Sequence, residues 1–142
     1  METREAKSFG IIPIFKNGGE FKTIIVKNKN GDHWGSPKGT PEGSETAIET
    51  AKRELMEETG IVNVDIREDK TFLEKYPFER EGTMYNKTNL YYLGFVNEML
   101  IGEYSDEIAE VKWVSFDEAK EVLTHQTAKD VMSEVEKFLI NN

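Results

Sequence analysis

The sequence predicts an α/β fold, with a central β-sheet and helices packed on it. Three observations carry that expectation. Apolar runs rich in β-branched or aromatic residues recur at 9–15, 23–26 and 90–96, as strands require. Between them, Ala47, Ile48, Ala51 and Leu55 repeat at helical spacing instead. The two kinds of segment are mixed along the chain in an order that suggests a sheet covered by helices.

In chain order, 9–15 reads as a buried strand and 23–26 as a second, short one. Asn17-Gly18-Gly19 between them has the composition of a hairpin turn, and Asn30-Gly31 marks another turn. A helix is expected over 44–59, with Ser44 as its N-cap and Gly60 just past its end. Strands follow near 71–80 and 90–96. In the latter both alternating sets are apolar, so both faces of that strand should be covered. A short strand at 111–114 precedes helices over 117–123 and 127–140. Val131, Val135, Phe138 and Leu139 mark the buried face of the last helix.

The chain has 142 residues, 37% apolar and 32% charged, with no repeat or linker, so one domain over 1–142 is expected. No apolar run approaches the roughly 18 residues that span a bilayer. The first residues lack the apolar core of a secretory signal. There is no cysteine, which excludes disulfides, thiolate metal sites and cysteine nucleophiles and fits a cytoplasmic protein. The formal net charge of −9 argues against general nucleic-acid binding. A small polyanion remains a suitable partner, because carboxylates can hold divalent cations that in turn hold phosphates. Oligomeric state is left open.

The informative segment is 39–61. Glu54, Glu57 and Glu58 stand at i, i+3 and i+4 and share one helix face. Like charges at that spacing repel, and the end of a helix favours cations. On its own such a triplet is an ordinary solvated acidic face. The surrounding pattern changes that reading: Gly39, five residues, Glu45, seven residues, then Arg53-Glu54-Leu55-x-Glu57-Glu58-x-Gly60-Ile61.

This pattern resembles the Nudix box at every defined position. The resemblance implies an α/β/α sandwich with a mixed β-sheet, and hydrolysis of a phosphoanhydride in a nucleoside diphosphate-linked substrate. It also implies Mg²⁺, for which Mn²⁺ can substitute. Glu57 and Glu58 would be direct ligands, with the Gly39 carbonyl adding an oxygen. Glu54 would support the metal or assist the attacking water, and Arg53 would orient the glutamates. Glu45 reads as structural, or as a distant metal contact.

Outside the box, His33-Trp34-Gly35-Ser36-Pro37-Lys38-Gly39 and Lys87-Thr88-Asn89-Leu90-Tyr91-Tyr92-Leu93-Gly94 resemble segments of the asymmetrically cleaving diadenosine tetraphosphate hydrolases. Ser105-Asp106-Glu107 is a third such match. The resemblance implies Lys38 and Lys87 as phosphate contacts and His33 as a further substrate contact. Tyr85 would stack on a base, Tyr91 would pack against the site, and Glu107 would reach the metals or the attacking water. For Tyr91, core packing is an equally good reading. The chain departs from that family at Thr40 and Ile108, where histidine is frequent. A 5′ RNA pyrophosphohydrolase, a nucleoside triphosphate pyrophosphatase and a non-catalytic nucleotide-sensing module are the alternatives. Arg80 is an unassigned cation, and nothing in the sequence argues for His125.

Overall fold

A computed structural model describes residues 2–142. It contains β1 (Glu2–Asn17), β2 (Glu20–Asn28), β3 (Trp34–Gly35), β4 (Lys38–Gly39), α1 (Ala47–Thr59), β5 (Asp65–Arg80), β6 (Thr83–Phe95), β7 (Ile108–Ser115), α2 (Phe116–Val122) and α3 (Gln126–Ile140). The strands form one mixed sheet. β1 runs parallel to β6, from Glu2↔Thr83 to Ile14↔Phe95. Every other pairing is antiparallel.

The sheet divides two apolar clusters. Ile11, Ile24, Ala51, Leu55 and Val111 pack on the α1 side. Ile12, Ile14, Tyr91, Leu93, Phe116, Val131 and Val135 pack on the side covered by α2 and α3. Adjacent residues such as Ile11 and Ile12 therefore serve opposite faces, which is why the apolar run in β1 is nearly continuous. The layering is the expected α/β/α sandwich.

The splay between β1 and β2 positions the site. They pair only over Ile14–Asn17 and Glu20–Thr23, next to the Gly18-Gly19 turn. β6 occupies the other edge of β1, and β7 the other edge of β2. Where β1 and β2 part, the 34–39 segment fills the gap. Trp34 and Gly35 pair with β2, and Lys38 and Gly39 pair with β1. These two short strands have no periodic signal in the sequence.

The expected N-cap of α1 needs correction. Ser44 lies outside the helix, and Thr46 caps it. Thr46 Oγ1 accepts from the Glu49 amide at 3.3 Å, while the Glu49 carboxylate accepts from the Thr46 amide at 2.8 Å. This reciprocal capping box satisfies two amides that a lone Ser44 could not. Gly60 ends the helix in the left-handed region at φ 77. A Cβ there would also collide with the Gly102 backbone.

Candidate functional site

α1 carries the acidic cluster, and its orientation is set by burial. Leu55 is 1% exposed, and truncating it to alanine would cost roughly 2–5 kcal/mol. With Ala51 and Leu55 turned inward, Arg53, Glu54, Glu57 and Glu58 flank the buried stripe and are only partly exposed. The last turn holds no basic residue. Its carbonyls are met by the loop preceding β7: Gly102 N–H donates to Thr59 O at 2.9 Å, and Ser105 N–H to Glu57 O at 2.7 Å. Those bonds bring the 105–107 segment to the acidic end of α1. Glu107 itself is exposed, with its amide donating to Ser105 Oγ at 3.2 Å.

Arg53 organises the cluster. Its Nε donates to Glu45 at 2.7 Å, and Nη2 donates to Glu45 at 3.0 Å and to the Thr40 carbonyl at 2.9 Å. Nη1 reaches Glu57 at 3.2 Å and lies 3.5 Å from Glu54. The guanidinium fork thus ties the loop before α1 to two of the helix glutamates. Glu45 also accepts from the Thr50 hydroxyl and the Glu42 amide. The Arg53 bond, with that amide, holds the Glu45 carboxyl down at about 2.

Glu54 and Glu58 are perturbed the other way. Burial pushes Glu54 up to about 7, against the pull of Arg53 and with help from Glu57. Burial pushes Glu58 up to about 8, reinforced by the charge of Glu54 and opposed by Lys38. Both carboxyls are under-compensated in the protein alone. The Gly39 backbone lies directly against Glu54, and a Cβ at that position would overlap the Glu54 carboxyl. Glycine is required here by close approach, not by an unusual dihedral. Among the described residues no three His, Asp or Glu side chains already converge into a metal cage. The donor set is nonetheless one of oxygens, with two half-buried carboxyls short of positive charge, and that fits a hard cation such as Mg²⁺.

Gly39 also borders a cavity of about 740 Å³, a size suited to a nucleotide-like ligand. Its lining combines three cations, Lys38, Arg80 and Lys87, with the rings of His33, Tyr76, Phe78 and His125. Lys87 Nζ donates to the buried Ser8 hydroxyl at 2.5 Å. Burial lowers the affinity of Lys87 for its proton, and the nearby Lys38 and Arg80 lower it further. The rings form a stacked series. His33 lies over His125 at 5.1 Å, and His125 over Tyr76 at 6.0 Å.

The fold therefore brings His33, Lys38, Gly39 and Lys87 to one cavity that meets the glutamate face of α1. Tyr85 is not part of the cavity lining; it stacks on Phe78 at 5.0 Å. Tyr91 is 3% exposed and packs behind the wall, with its hydroxyl donating to Glu74 at 3.4 Å. Arg80 finds a place at the rim, over the Phe78 ring at 5.4 Å. His125, Tyr76 and Glu74 are additions that sequence reading missed. Glu74 and Tyr76 had a local signal, in register with Phe72 and Phe78 on one strand face, and His125 had none.

Comparison with known proteins agrees with this geometry. Residues 4–135 match the NUDIX domain family. The chain is 30% identical over 120 residues to the asymmetrical bis(5′-nucleosyl)-tetraphosphatase of Sus scrofa, covering 82% of this chain and 79% of that one. It is 32% identical over 142 residues to a protein of Acanthamoeba polyphaga mimivirus whose name refers to mRNA decapping, covering 92% of this chain but 38% of the viral one. In structure it resembles a C. elegans Ap4A hydrolase binary complex, with a TM-score of 0.83 at 24% identity, over 96% of this chain and 99% of that one. The match across most of the chain, together with the glutamate helix against Gly39, shows that the protein belongs to the NUDIX domain family and is a hydrolase acting on phosphoanhydrides.

Proposed function

We propose that this enzyme is a Mg²⁺-dependent bis(5′-nucleosyl)-tetraphosphatase that cleaves diadenosine tetraphosphate asymmetrically into ATP and AMP. The observation that carries the reading is the cavity itself: three cations and a row of rings, bordered at Gly39 by the carboxylate face of α1. A four-phosphate chain carries more negative charge than one or two divalent cations offset, so additional lysines are needed along it.

Glu54, Glu57 and Glu58, with the Gly39 carbonyl, would hold Mg²⁺ or Mn²⁺. The cation supplies charge neutralisation on phosphate oxygens and makes the attacking water more acidic. Lys38 and Lys87 hold the phosphate chain, and Arg80 and His33 lie where they can extend that grip. The water oxygen attacks one phosphorus as the anhydride P–O bond breaks, and a carboxylate, Glu54 or Glu107, accepts the proton. Arg53 aims Glu57 by donating to it while anchored on Glu45. The His125–Tyr76–Phe78 wall offers flat apolar faces to a base.

The mimiviral relative favours a second reading, action on the 5′ end of RNA. The formal charge of −9 disfavours a long nucleic-acid footprint beyond the cavity. Hydrolysis in oxygen-18 water, with products resolved by mass spectrometry, tests the first reading. ATP and AMP as products support it. Two ADP molecules, or no turnover beside brisk hydrolysis of triphosphorylated RNA or a mononucleotide, would overturn it.

A further inference from the structure

Behind the cavity wall lies a buried carboxyl for which the proposed chemistry has no use. Glu74 points inward from β5 between Phe72 and Tyr76 and is 5% exposed. It forms no ion pair among the described residues. Neutral donors surround it instead. Asn89 Nδ2 donates to Oε1 at 2.9 Å from the directly opposite position on β6, and the Tyr91 hydroxyl donates to the same oxygen. The Thr127 hydroxyl donates to Oε2 at 2.6 Å. Replacing such a group by a well-packed apolar residue is often neutral or stabilising, so stability alone is a weak account of it.

Its connections suggest a different role. Thr127 is the second residue of α3 and lines the cavity. His125, the N-cap of α3, makes no side-chain capping bond. It is held by what flanks it. On one side Thr124 Oγ1 accepts from the Trp34 amide at 2.8 Å. On the other, Thr127 is bound to Glu74. Between these two attachments the His125 ring rests on Tyr76 and His33. Tyr76 is two residues from Glu74 on the same strand, so one carboxyl ties together the two elements that place the Tyr76 and His125 rings.

We infer that Glu74 is a positioning residue for nucleotide binding: through Thr127 it fixes the start of α3 so that His125 stays stacked on Tyr76 at the cavity wall. The inference rests on reading the cavity as a nucleotide site. Glu74 touches no substrate in this arrangement and acts through Thr127.

The test uses ATP as the probe, with its dissociation constant measured by calorimetry in EDTA, so that it does not depend on turnover. Thr127→Val removes the hydroxyl while conserving shape, and should weaken ATP binding about fivefold, as for one lost hydrogen bond. Glu74→Ala should match it, and Glu74→Gln, which keeps an oxygen for Asn89 and an amide that can donate to Thr127, should recover most of the loss. In a His125→Ala background Thr127→Val should add nothing, because both changes disable the same wall. If Glu74→Ala does not fold, Thr127→Val carries the test alone. Lowered melting temperatures with unchanged ATP affinity would reduce Glu74 to a structural residue, and multiplicative losses in the double variant would remove the route through His125. Asymmetric cleavage by the wild type with none of these affinity changes refutes this inference alone. ATP binding that weakens as expected in a chain that does not cleave diadenosine tetraphosphate refutes only the substrate reading. A wild-type chain with no affinity for ATP in EDTA and none for a non-hydrolysable ATP analogue with Mg²⁺ refutes both.

Discussion

Arg53 Nε donates to Glu45 at 2.7 Å across the loop that leads into α1, while Nη1 of the same guanidinium reaches Glu57 at 3.2 Å. One side chain thus couples the entry of the helix to the glutamates near its end. Glu45 is held down to about 2, chiefly by this bond, from an ordinary value of 4.5. A depressed carboxyl adds stability above its unfolded pKa and loses it as pH falls through the folded one. The chain should therefore lose stability between about pH 4.5 and pH 2. Glu45→Gln should be less stable at neutral pH, and the difference from wild type should shrink across that window. Urea midpoints at pH 6, 4 and 3 check this, and a constant gap would show that the pair contributes no pH-dependent stability. Arg53→Lys keeps the charge and loses the fork, so it should lower kcat roughly 10–100-fold, as for other groups that orient metal ligands.

Glu58 makes the opposite prediction. Its carboxyl is half-buried beside Glu54 and Glu57, with Lys38 as the opposing positive charge. Glu58→Gln should cut turnover by at least about 10²-fold, because it takes charge from the proposed metal site. The same variant in EDTA should melt no lower than wild type, and higher at alkaline pH, because a like-charge conflict has been removed. Activity near wild type would end the assignment of Glu58 as a ligand.

Metal preference follows from the donors. All proposed ligands are oxygens, and His33 and His125 stack on each other across the cavity instead of joining the glutamates. Mg²⁺ or Mn²⁺ should restore activity after EDTA treatment, and Zn²⁺ alone should not. Full activity in EDTA, or a preparation in which only Zn²⁺ restores turnover, would contradict this.

How much of the site could be read in advance depended on how local each signal was. The 39–61 pattern is local, so the Glu54, Glu57 and Glu58 face was visible, as was the Gly60 terminus. The helix start was misplaced because Ser44 and Thr46 are both suitable caps. Thr46-x-x-Glu49 was the decisive spacing. The strands proved longer than expected. β1 extends back to Glu2, β5 to Asp65 and β6 to Thr83, through polar residues with little apolar alternation. Ladder pairing, not side-chain pattern, decides those ends; β5 even absorbs an irregularity between Arg67 and Thr71. His125 lies 92 positions from its stacking partner His33, so only the docking of α3 brings it to the cavity.

The final prediction concerns how the cavity reads phosphate number. Lys38 and Lys87 approach it from β4 and β6, on opposite sides of β1. Two lysines set apart in this way can contact different parts of one polyphosphate, whereas a short substrate would engage them unequally. Lys38→Met and Lys87→Met should each cost roughly 1.5–3 kcal/mol in kcat/KM for diadenosine tetraphosphate, as for a lost charge-assisted hydrogen bond. The losses should shrink for the triphosphate-bridged dinucleotide and again for ATP. Lys87 also donates to the buried Ser8 hydroxyl, so Lys87→Met leaves that group without its donor. Ser8→Ala removes the same bond while keeping the ammonium, and separates the two effects. If Ser8→Ala reproduces the whole loss, Lys87 acts by packing. If it leaves kcat/KM near wild type while Lys87→Met scales with phosphate number, the ammonium itself holds the chain. Equal losses for every substrate length would show that neither lysine measures the polyphosphate.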